Sequence, residues 1–193
     1  MDNHPFNSQP FSRTQILILM AITALILLLV AEIWQRLGEV ERIPLKPTLS
    51  ALGAGIILGF IILTASVILA YVWEGYRLCA KKYLELIITP LTFPDLFWLG
   101  ILPGVSEELL FRGIMIPGLG YDWLALVISS VFFGILHWSE AANWHYVVWA
   151  TLVGFLLGYS VYLTDNLLVP IIAHSLTNFV SGAFWKWKKS TKL

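Results

Sequence analysis

A chain of 193 residues that is 58% hydrophobic and only 12% charged is far more apolar than a water-soluble domain of this size needs to be. Its formal net charge of zero leaves no basic footprint for nucleic acid, and its single cysteine, Cys79, excludes an intrachain disulfide. The fold class that follows is all-α, a polytopic transmembrane helix bundle with membrane lipids around it.

A membrane helix needs roughly 20 mostly apolar residues. In chain order, Ile16 to Trp34 and Leu49 to Trp73 meet that requirement. The first run is too long for a signal-peptide h-region and has no small-residue cleavage site after it, so it reads as the first span. Between Leu84 and Leu119 a longer apolar stretch is interrupted by Pro90, Pro94, Pro103 and Pro117. Pro94 suits the first turn of a span, and the stretch before it reads as interfacial or re-entrant. Trp123 to Trp138, Tyr146 to Leu163 and Leu167 to Trp185 complete a bundle of about six spans, with seven as the alternative. We divide the chain into an N-terminal two-span region, residues 1–83, and a core, residues 84–193.

With six spans, Arg13, Arg77, Lys81, Lys82, Lys186, Lys188, Lys189 and Lys192 fall on one side, and Arg36, Arg42 and Lys46 on the other. The positive-inside rule then puts both termini in the cytoplasm, with Trp185 and Trp187 as an interfacial anchor. Gly55 with Gly59, and Gly154 with Gly158, form GxxxG pairs suited to helix packing within the molecule.

Most acidic residues of the second half lie near helix ends. Glu107, Glu108 and Arg112 do not; they sit inside an apolar stretch. Each charge at mid-bilayer costs about 2.5–3.5 kcal/mol, so all three require compensation. Glu108 and Arg112, four apart, can pair on one helix face. Glu107 is rotated by about 100° from Glu108 and aims elsewhere. Pro103, four residues upstream, removes a backbone donor and is expected to kink or start the helix there.

His137, after Phe133, ends its span near the inner surface, and His174 shares a helix face with Asn178. A lone membrane histidine is often only an interhelical hydrogen bond. As a set, Glu107, His137, His174 and Asn178 can converge in one polar cavity, where intramembrane ionisable groups normally face. Glutamate with histidine suits activation of water, and histidine with asparagine can donate to a tetrahedral oxyanion. The chain has no G-x-S-x-G elbow, no H-E-x-x-H zinc motif and no Gly-rich phosphate loop.

At these residues the chain resembles the CPBP family, the CAAX protease and bacteriocin-processing enzymes also called Abi. The likeness lies in Glu107-Glu108 followed by Arg112, Phe133 followed by His137, and His174 followed by Asn178, over roughly Asp95 to Phe179. It implies an intramembrane endopeptidase acting on a membrane-embedded or membrane-proximal peptide, in CAAX-type or bacteriocin-related processing. By resemblance Glu107 is the general base, His137 its partner, and His174 and Asn178 bind the water or the oxyanion. Glu108, Arg112 and Phe133 support the site. Metal dependence stays open. Glu107, His137 and His174 are a legitimate zinc set, which would make the chain metalloprotease-like, but zinc would use up the obvious base; the metal-free glutamate mechanism is the reading taken. The rivals are a non-proteolytic scaffold or immunity factor, and a proton or metal-ion transporter, which the lack of an internal repeat disfavours.

Overall fold

The computed structural model describes residues 11–191, and among them the chain forms seven helices and no strand. Helix α1 is Arg13–Leu37, α2 is Leu49–Val72 and α3 is Glu74–Ile88. Helix α4 starts at Asp95, is α-helical to Glu108, continues as π-helix over Leu109–Met115 and closes with a turn at Ile116–Gly118. Helix α5 is Trp123–Leu136; α6 is Trp144–Thr164, entered by a 3-10 turn at Ala141–Asn143; α7 is Leu168–Ser190. Lys192, counted above among the basic residues, lies outside the described residues.

Side-chain caps set several boundaries. Ser12 and Gln15 form a reciprocal capping box at the start of α1. Thr48 accepts from the Ala51 amide to start α2, and Asp122 from the Ala125 amide to start α5. Pro94 precedes the first residue of α4, as the sequence suggests, while Pro103 lies within its α-helical part rather than starting it.

Among the described residues four helices are long and apolar enough to cross a membrane: α1, α2, α6 with its entering turn, and α7. Ile18, Ile22, Leu25, Ile26, Leu29 and Ile33 of α1 are exposed, a continuous apolar surface suited to lipid. Helix α5 is equally apolar but only 14 residues long. Helix α4 carries the buried charges. Helix α3 exposes Lys81 and Lys82 while burying Tyr76, Cys79 and Ile88, the amphipathic pattern of an interfacial helix. The 83/84 division drawn from the sequence falls within α3.

Helix α7 is the hub. It buries Val169, Ile171, Ala173, His174 and Ser175 and packs closely on α2 and α4. Small residues permit this. A Cβ on Gly55 of α2 would lie 2.8 Å from the Val169 carbonyl, and one on Gly104 of α4 would lie 2.1 Å from Ser175 Oγ. Gly154 and Gly158 of α6 do the same against Ser130 and Leu126 of α5. Both GxxxG pairs therefore pack within the molecule.

Polar contacts tie the helix ends. Arg13 donates two hydrogen bonds of 2.7 Å to Asp95, and Lys186 reaches the Ile88 carbonyl at 3.4 Å. The starts of α1 and α4 and the ends of α3 and α7 thus share one end of the bundle. At the other end the Lys46 backbone and the Asn166 side chain exchange hydrogen bonds of 2.9 and 2.8 Å.

Candidate active site

Glu108 and Arg112 lie at the junction where α4 changes to π-helix, and both side chains are fully buried. Arg112 Nη1 donates to Glu108 Oε1 at 2.9 Å, and Nη2 donates to the Gly154 carbonyl at 2.9 Å. Its guanidinium carbon stands 4.3 Å from the centroid of the Phe133 ring. Carboxylate, carbonyl and aromatic face together offset the burial of the cation. Glu108 Oε2 and Arg112 Nε have no partner among the described residues.

Glu108 has a second task. His174 Nδ1 stands 2.7 Å from Glu108 Oε1. An ionised carboxylate only accepts, so Nδ1–H donates, and Nε2 is left for the cavity that His174 lines. The sequence paired Glu108 with Arg112 alone; the structure makes it the bridge between Arg112 and His174.

Glu107 turns the other way, towards α5. His137 caps the C-terminus of α5, and its Nδ1 stands 2.8 Å from the Phe133 carbonyl. A carbonyl cannot donate, so here too Nδ1 carries the proton. His137 Nε2 then faces Glu107 Oε2 at 4.0 Å, too far for a direct hydrogen bond. Phe133 thus serves both sides, with its ring under Arg112 and its carbonyl fixing His137.

Glu107, His137, His174 and Asn178 all line one cavity of about 370 Å³. They come from α4, α5 and α7, and the cavity walls also include residues of α1, α2, α3 and α6. The four residues singled out from the sequence are brought together. Tyr76, Tyr83 and Tyr146, which also line the cavity, were not singled out. Tyrosines near helix ends are common membrane-interface residues, and nothing in the sequence separates these from that population. His145, read as structural, stacks on Trp144 with ring centroids 3.8 Å apart, away from the carboxylates.

For the zinc set Glu107, His137 and His174, both histidines commit Nδ1, to Glu108 and to the Phe133 carbonyl, and keep Nε2 for the cavity, which leaves the metal alternative open. Among the described residues no group of three or more His, Cys, Asp or Glu is arranged to hold a metal ion.

Residues 89–180 match a family model described as Type II CAAX prenyl endopeptidase Rce1-like. The uncharacterized Bacillus subtilis protein YpbD is 33% identical over 94 residues, which are 49% of this chain and 47% of that protein. The matched stretch therefore spans about half the length of this curated relative. No solved structure matches the chain. The long apolar helices and the family match together make this an integral membrane protein. Over residues 89–180, the stretch that holds Glu107, Glu108, Arg112, Phe133, His137, His174 and Asn178, the chain is similar to the Rce1-like type II CAAX prenyl endopeptidases.

Proposed function

We propose that this protein is an intramembrane endopeptidase that hydrolyses a peptide bond with water activated by Glu107. The observation that carries this reading is the convergence of Glu107, His137, His174 and Asn178 on one cavity. Among the described residues Glu107 Oε2 is buried without a hydrogen-bond partner, next to an imidazole whose Nε2 is free. A water between Glu107 and His137 would be held by both, and Glu107 would take its proton as it attacks the scissile carbonyl. The oxyanion formed would be met by the Asn178 amide and by His174 through Nε2–H when that ring is doubly protonated. Glu108 orients His174, and Arg112 holds Glu108 in place. The proton on Glu107 then passes to the leaving amine, which restores the base. No step requires a covalent enzyme intermediate.

The family match supports a CAAX-type substrate; bacteriocin-related processing remains a second substrate class for the same chemistry. The test is the full chain in proteoliposomes with three probes: a farnesylated peptide ending in a CAAX sequence, its unprenylated form, and a single-span membrane peptide. Cleavage of at least one by the wild type is expected. Glu107→Gln should keep the fold and lose at least about a thousandfold in kcat, since it removes the base entirely. Cleavage that survives Glu107→Gln would overturn the assignment of the base.

A further inference from the structure

Helices α3 and α6 bring their own polar groups to the cavity, and the hydrolysis scheme above uses none of them. Tyr83 and Tyr146 stack with ring centroids 5.1 Å apart, and Tyr76 stacks with Tyr146 at 6.3 Å. The hydroxyl of Tyr76 is engaged, 2.6 Å from that of Ser66. Those of Tyr83 and Tyr146 form no hydrogen bond among the described residues, and neither is among the sealed, partnerless atoms of the interior. Both residues line the cavity with Glu107 and His137, and the Tyr146 ring is 6.1 Å from that of His137.

A buried tyrosine ordinarily finds a partner for its hydroxyl. A tyrosine of the interfacial belt finds it among lipid headgroups. Here the rings are fixed by stacking and the two free hydroxyls sit at the chamber that holds the candidate base. A peptide entering that chamber brings backbone N–H and C=O groups that have lost water, and each costs free energy until it is paired. A phenol can donate to a carbonyl or accept from an amide, so a pair of them can satisfy either.

We propose that the hydroxyls of Tyr83 and Tyr146 hydrogen-bond the main chain of the peptide substrate and hold it beside Glu107 and His137. The proposal rests on the protease reading and adds two substrate-binding residues to it. Such bonds form in the bound ground state and persist in the transition state, so their loss raises KM and leaves kcat in place.

The experiment uses the full chain in proteoliposomes with the three probes named above, carrying Tyr83→Phe, Tyr146→Phe or both. Phenylalanine keeps the ring stack and removes only the hydroxyl. Each single variant is expected to raise KM about three- to tenfold and the double about thirtyfold, with kcat within about twofold and an unchanged melting temperature. Tyr76→Phe, whose hydroxyl is already engaged, is expected to leave KM unchanged. A KM within about twofold of wild type in the double variant overturns the proposal, as does an equal rise in Tyr76→Phe, which would trace the effect to packing. Failure of the wild type to cleave any probe would overturn the protease reading and this inference together. Wild-type cleavage with indifferent tyrosine variants would overturn the inference alone.

Discussion

Arg112 and Glu107 separate the two ways a buried charge can matter. Arg112 holds Glu108 and the Gly154 carbonyl and lies against the Phe133 ring, so it is part of the packing of α4, α5 and α6. Arg112→Ala would leave Glu108 ionised and half-partnered in a dry site, at about 3–5 kcal/mol. Its abundance and melting temperature are expected to fall along with activity. Glu107 makes no hydrogen bond among the described residues, so Glu107→Gln should accumulate at near wild-type levels while inactive. Equal, normal accumulation of both variants would show that Arg112 does not support the fold. Removal of metal is expected to be harmless: activity should survive dialysis against a strong chelator, and loss reversed by added zinc would reinstate the metal alternative. At this scale much was legible. The cost of charge in lipid picked out Glu107, Glu108 and Arg112, and helical spacing paired the last two. The bond from Glu108 to His174 was not legible, since it joins residues 66 apart in the sequence and depends on how α7 docks on α4. The tyrosines were hidden for a different reason: their composition and position are those of an ordinary interfacial belt.

Among the elements, α4 and α5 depart most from ideal spans, and both departures serve the site. A π-helical segment has a wider turn than an α-helix and is found mostly at functional sites. Here it covers Leu109–Met115 and carries Arg112. Proline spacing marked α4 as irregular, yet the irregularity falls after Glu108 and not at Pro103, because π-helix is set by packing and leaves no proline signature. Upstream, Gly104 is the point where α4 meets α7. A Cβ there would press on Ser175 Oγ at 2.1 Å and on the Ser175 backbone nitrogen at 3.1 Å. Gly104→Ala must therefore push α7 away or turn Ser175, whose neighbour is His174. We expect a loss of about 1–3 kcal/mol in stability and a fall in kcat, measured by thermal unfolding and by cleavage. Ser175 Oγ has no partner to lose among the described residues, so adding Ser175→Ala should recover part of both. A Gly104→Ala protein as stable and active as wild type would mean that this contact does not position His174.

For the molecule as a whole, we propose that the short α5 lets water reach the site inside the membrane. At 1.5 Å per residue its 14 residues span about 21 Å, against a hydrocarbon thickness of about 30 Å. The helix stops early, His137 caps it, and the chain turns back through Trp138 and Glu140 to α6 while Lys82 of α3 pairs with Glu140. This leaves a chamber beside the end of α5, lined also by Phe11, Ile16, Tyr83 and Ser181 near the end of the bundle where α1 begins and α7 finishes. The same end carries Arg13, Arg77, Lys81, Lys82, Lys186, Lys188 and Lys189, with Lys192 following in sequence, and by the positive-inside rule we propose that it faces the cytoplasm. Orientation and water access are thus coupled, and one labelling experiment addresses both. In a Cys79→Ser background, Thr191→Cys marks the C-terminus and Ser181→Cys marks the cavity wall on α7. A membrane-impermeant maleimide is expected to label both in inside-out vesicles and neither in right-side-out vesicles. Labelling of Thr191→Cys from the outside would reverse the orientation and with it the count of about six spans. Labelling of Thr191→Cys but not Ser181→Cys in inside-out vesicles would keep the orientation and close the proposed water path, so that the water for hydrolysis would have to enter by another route.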